Sequence, residues 1–180
     1  MQQHVFIDLL RKIHNNPASD HITTSLRDQC VFDNNRYNIN LWLQEDLCRD
    51  VYNNPPFDPM VIVNAKKDID RLNQARNNAM EGIDREFLLM YDREVVGTRV
   101  SETLGQMCDR ASILYLKLKH AVNITKATAL ANQYEDVLDS INSLVNGYEQ
   151  GTHYFKRYGQ YKNYGGPRSS PPEAYKVTTP

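Results

Sequence analysis

Between Pro59 and Met90 the chain reads PMVIVNAKKDIDRLNQARNNAMEGIDREFLLM, and this stretch decides the fold. Ile62, Ile69, Leu72, Ala79, Ile83 and Phe87 recur at helical spacing, which gathers them on one apolar stripe. Asp58 before Pro59 is a helix start: an acid at the N-cap, then a proline where the missing N–H does no harm. A second set, Lys66, Asp70, Asn73, Asn77 and Asp84, keeps the same period beside the stripe, and Arg76 projects from its middle. Charge set against a core is costly unless it is paired or hydrogen-bonded, so this polar seam predicts partners on another helix, or a ligand.

Working outward, residues 4 to 14 predict a short amphipathic helix, and Leu26 to Val51 a long one that stops at Asn53-Asn54-Pro55-Pro56. The long helix carries Leu26, Cys30, Tyr37, Leu41, Cys48 and Tyr52 as its apolar side, with Asn38, Trp42, Glu45 and Arg49 recurring on its flank. Trp42 reads as a core anchor on that flank. Thr103 and Gln106 have capping-box spacing and open a helix to about Ala121, whose two apolar sides place it centrally. A further helix from about Thr125 to Tyr148 shows an ordinary bundle stripe. No strand pattern is evident. The expected fold is therefore all-α: a single-domain helical bundle over residues 1–164, of about four long antiparallel helices plus the short N-terminal one. Residues 165–180 are rich in Gly, Pro, Ser and Thr and read as a tail. Tyr154, Phe155, Tyr158, Tyr161 and Tyr164 alternate with Lys and Arg before it, and read as a last helix packing its rings onto the bundle.

The charge is balanced, with 21 Lys plus Arg against 22 Asp plus Glu in 180 residues, so a broad field for nucleic acid is absent and that partner is not expected. No stretch reaches membrane-spanning length, so no membrane partner is expected either. The 3 cysteines are odd in number and set within helical pattern, which suits buried thiols in a reducing compartment, the cytoplasm. His4, His14, His21, His120 and His153 lack metal-ligand spacing and read as surface or capping residues; no metal site is expected from them.

Trp42 to Arg49 (WLQEDLCR), Lys66 to Asp84 (KKDIDRLNQAR, then EGID), Glu102 to Lys117 (ETL, then DRASILYLK), and Gly151 with Tyr154, Lys156, Tyr158 and Lys162 stand in an order that resembles the bacterial family called domain of unknown function 4254. The likeness spans most of the chain. It departs at Asn77-Asn78, where Thr-Asp or Asn-Asp is usual, and at Leu104, where the family often has proline. The resemblance implies a helical, intracellular protein of bacterial or phage type, near glycosyltransferase genes, with no established activity. Glycan or nucleotide-sugar metabolism and a glycosyltransferase partner follow from that setting alone.

Three functional readings arise from the residues. In the first, Arg49, Lys66, Arg76, Arg110 and Lys117, with Asn73 and Gln74, hold a small anionic ligand, phosphorylated or a nucleotide-sugar, while Glu45, Asp70, Asp84 and Asp109 orient the cations, Asp70 and Asp109 also lining the site. A partner enzyme is an alternative occupant, and a buried ion-pair network that fixes helix register is the purely architectural version. In the second, Glu45, Asp46, Glu81 and Asp84 bind Mg²⁺ and activate a water as a phosphohydrolase, because Glu81-Gly-Ile-Asp84 has the spacing that puts two carboxylates on one helical face. The third is a homo-oligomeric scaffold built on the tyrosine tail.

Overall fold

A computed structural model describes residues 3–17, 25–56, 58–91 and 96–157. The elements are α1 (Gln3–Asn15), α2 (Leu26–Asn53), α3 (Pro59–Met90), β1 (Thr98–Val100), α4 (Leu104–Lys119), α5 (Ile124–Glu149) and β2 (His153–Phe155). The fold is an all-α bundle, and each long helix begins where its capping chemistry dictates. Ser25 accepts from Asp28 N, Asp58 from Met60 N, and Asn123 from Lys126 N. Thr103 and Gln106 close a reciprocal capping box at the start of α4, through bonds of 3.2 and 2.9 Å. Each such cap contributes about 1 kcal/mol by satisfying amide groups that the helix leaves open.

Helices α2 and α3 pair as a long antiparallel hairpin of 28 and 32 residues, and α4, with 16, covers only part of it. At one end Gly105 lies against the Met80 backbone, where a Cβ would come within 2.3 Å of the Met80 carbonyl oxygen; at the other, Trp42 stacks on His120. Between these points α4 runs antiparallel to α3 and parallel to α2. The main core joins Leu10 and Ile13 of α1, Ile83 and Phe87 of α3, Leu104 and Cys108 of α4, and Leu138 and Ile141 of α5. A separate small cluster, Leu41, Ile69 and Leu72, zips the hairpin where α4 ends.

Three expectations need correction. Leu26 and Tyr52 stand exposed, and the buried positions of α2 are Val31, Asn34, Asn35, Asn38 and Leu41. The reason is that α4 packs on the polar flank of α2. His14 is buried rather than on the surface. The aromatic segment after α5 is not a helix at residues 153–155: Gly151 turns the chain at φ 74°, and β2 pairs in parallel with β1, Val100 opposite Phe155. Strands of three residues are too short to leave a period in the sequence. Phe155 still packs as a ring onto the bundle, 6.0 Å from Phe87 and 6.1 Å from Tyr148. Tyr158, Tyr161, Tyr164 and the expected boundary at residue 165 lie outside the described residues.

Candidate functional site

The polar seam becomes a network where α2, α3 and α4 meet. Asn34 and Asn38 are buried, and their side-chain amides donate to Asp109 Oδ1 at 3.0 and 2.9 Å. Arg76 reaches the same oxygen from α3, with Nε at 3.7 Å, and its Nη1 donates to Asn38 Oδ1 at 3.5 Å. Two amides and one guanidinium thus offset the cost of taking the Asp109 carboxylate out of water. Arg76 is less well served. Its Nε is buried and has no hydrogen-bond acceptor among the described residues.

Beside this network a cavity of about 310 Å³ opens between the three helices, lined by Asn38, Leu41, Trp42, Glu45, Arg49, Asn73, Arg76, Ile113 and Leu116. Its α2 wall is the flank Asn38, Trp42, Glu45 and Arg49, brought to one side by helical spacing. Trp42 is therefore a wall of an open cavity and not a core anchor. Its ring stacks on His120, centroids 4.7 Å apart, and its buried Nε1 has no acceptor among the described residues. Arg49 pairs with Asp46 one turn before it, and that bond raises the guanidinium pKa further. An indole ring, two guanidinium groups, two carboxamides and a carboxylate thus face one small volume. Such a set can hold a phosphate or carboxylate on the guanidinium forks while a ring lies on the indole.

The remaining candidates fall elsewhere. Lys66 and Asp70 form an i,i+4 pair on the outer face of α3, and Gln74 donates to Asn78 on the surface at 3.0 Å. Arg110 pairs with Glu102 at 2.7 Å; with Asp109, Ile113 and Lys117 they line an adjoining groove of about 610 Å³. Ile113 borders both spaces. The four carboxylates of the Mg²⁺ reading are not brought together. Asp84 is buried at the start of α4, where it accepts from Gly105 N at 2.7 Å and from the Thr103 side chain. Burial pushes its pKa up to about 6, against the opposing pull of those two bonds and of Arg157. Gly82 touches Cys30, and Glu45 stands roughly 22 Å further along α2 at the helical rise of about 1.5 Å per residue. Among the described residues no group of three or more His, Cys, Asp or Glu is placed to hold a metal ion.

A second polar cluster sits on the neighbouring face of α4, where His14, Asn35, Tyr115, Leu116 and His120 border a further cavity of about 350 Å³. His14 Nδ1 meets Tyr134 Oη at 2.9 Å, and Nε2 meets Ser112 Oγ at 3.0 Å. The ring stacks on Tyr115 at 5.0 Å. Burial lowers the His14 pKa to about 4 and pushes the Tyr134 hydroxyl up to about 12, so the cluster is neutral near pH 7. Sequence reasoning missed it because a histidine at the end of a short amphipathic helix has no periodic signal of its own. It also missed His120 and Ile113 as cavity neighbours.

Fold and site together define an all-α bundle protein with an open polar cavity between its second, third and fourth helices. The profile of the family described as "Protein of unknown function (DUF4254)" matches residues 28–128, more than half of the chain, and the chain belongs to that family. The matched stretch contains every residue that lines the cavity. Comparisons with curated proteins and with solved structures return no match. No helix among the described residues is long and apolar enough to cross a membrane.

Proposed function

We propose that this protein binds a small anionic ligand, a phosphorylated compound of the nucleotide-sugar kind, in the cavity between α2, α3 and α4. The observation that carries the reading is the pair of guanidinium groups in one cavity wall, Arg76 from α3 and Arg49 from α2, the Arg76 side chain being only 23% exposed and reaching Asp109 at 3.7 Å. A guanidinium held by one long ion pair keeps donors that an anionic ligand can satisfy. Arg49 supplies the second cation from α2, Asn38 and Asn73 supply amides, and Glu45 and Asp109 orient the guanidinium groups. Trp42 offers the ring surface. Glycan or nucleotide-sugar metabolism in the cytoplasm, with a glycosyltransferase as partner, is the setting we propose for such a ligand; the three free cysteines suit a reducing compartment.

The test is thermal unfolding of the full chain against inorganic phosphate, nucleoside diphosphates and nucleotide-sugars, each with and without Mg²⁺. A ligand at a hundred times its Kd stabilises by about 2.7 kcal/mol, a shift of several degrees. Arg76→Met should abolish the shift. The reading is overturned if no compound shifts the midpoint, or if Arg76→Met leaves the shift intact.

A further inference from the structure

The turn between α4 and α5 joins exposed aliphatic side chains to a run of sequence without acids. From Arg110 to Tyr134 the sequence contains no Asp or Glu, in a chain that otherwise balances its charges. The same run carries Lys117, Lys119, His120 and Lys126, all exposed around the turn. At its apex Val122 and Ile124 are 84% and 81% exposed. The turn is held in shape: Asn123 caps α5 by accepting from Lys126 N at 2.9 Å, and His120 ends α4 with its ring on Trp42. Two aliphatic side chains are thus presented on a fixed convex tip, inside a collar of cations.

We infer that this tip docks the protein on the surface of an anionic lipid bilayer, with Val122 and Ile124 entering the interface and the lysines on the headgroups. The charge selects an anionic surface, and the shape selects a bilayer. A stable protein interface needs about 800 Å² per partner, far more than two exposed side chains offer, whereas binding to a bilayer strengthens with each buried CH₂ and with each lysine at an anionic surface, the two signals that this tip combines. Nucleic acid would answer the lysines and leave the exposed aliphatics unused. The nearest acids on the neighbouring helix are Glu45 and Asp46, about one turn beyond Trp42 on α2, and Asp46 is paired with Arg49. Docking is peripheral, since no described helix can cross the membrane. The inference does not depend on the proposed ligand, although the Trp42–His120 stack makes the cavity wall a direct neighbour of the tip.

The experiment is co-sedimentation of the full chain with phosphatidylcholine vesicles, with and without phosphatidylserine, and in parallel with a duplex oligonucleotide. The protein should pellet with the serine-containing vesicles and stay in solution with the neutral ones. Val122→Ala or Ile124→Ala should each lower the partition coefficient by up to about tenfold, and Lys119→Ala or Lys126→Ala by about fivefold. All four positions are exposed, so unchanged melting curves serve as the folding control. Failure to pellet with anionic vesicles overturns the inference, as does pelleting that ignores the aliphatic substitutions. Binding only to the oligonucleotide overturns it as well.

Discussion

Helix α4 serves two polar clusters of opposite character. On one face His14, Ser112 and Tyr134 form a neutral, hydrogen-bonded set: His14 and Ser112 are 2% and 1% exposed, and both nitrogens of the imidazole have partners. On the other, Asn34, Asn38, Arg76 and Asp109 form a charged set that faces a cavity and contains a donor without an acceptor. The first is neutral and satisfied by its own hydrogen bonds, although His14 and Tyr115 also border a neighbouring cavity of about 350 Å³. The second is incomplete, and an incomplete buried network is where a ligand gains most.

The largest effect should come from Asp109→Ala. It leaves the Arg76 charge and two asparagine amides without their shared acceptor, so unfolding in urea should show a loss of about 3–5 kcal/mol. A loss below about 1 kcal/mol would mean that water already serves those groups, and that the charged cluster is no more buried than a surface pair.

Acid titration separates the neutral His14 cluster from the Asp84 contact at the start of α4. His14, near 4 when folded against 6.5 unfolded, contributes stability that is present above pH 6.5 and lost as pH falls toward 4. Asp84, near 6 when folded against 3.8 unfolded, contributes in the opposite sense: its term is present below pH 3.8 and lost as pH rises through 6. Each amounts to about 3 kcal/mol, so the two nearly cancel across this window. His14→Gln should therefore make the protein gain stability on acidification to pH 4, and Asp84→Asn should make it lose stability. Parallel pH profiles for both variants and the parent would show that neither group is desolvated as its burial implies.

A smaller effect is expected from Ser112→Ala, which removes one partner of His14. It should cost about 1–2 kcal/mol and leave any ligand-induced shift unchanged. If it altered ligand binding, the two sides of α4 would be coupled rather than independent. The smallest belongs to Lys66→Ala, which breaks an exposed i,i+4 pair; the expected change is within about 0.5 kcal/mol, with no change in ligand response. A ligand effect there would extend the site to the outer face of α3.

Much of this arrangement was legible in residue order. The flank Asn38, Trp42, Glu45 and Arg49 reads directly from helical spacing and is the α2 wall of the cavity. Arg76 was visible as a cation within an apolar stripe, and so was its need for a partner. What could not be read was which residues of other helices meet it. Lys66 and Asp70 share the period of Asn73 and Asn77, yet they pair with each other on the outer face, while Asn77 is buried. Trp42 looked like core because the space beside it is created by where α4 ends.

The sequence by itself determined the helices, the caps at Asp58 and Thr103, and the face on which each polar residue lies, because these follow from local hydrogen bonding and a period of 3.6 residues. Only the tertiary structure decided that Asp109 meets Arg76 while Glu81 and Asp84 stay far from Glu45. Helical period specifies a direction around an axis. The offset along it is set by packing, here by the contact of Gly105 with the Met80 backbone and of His120 with Trp42.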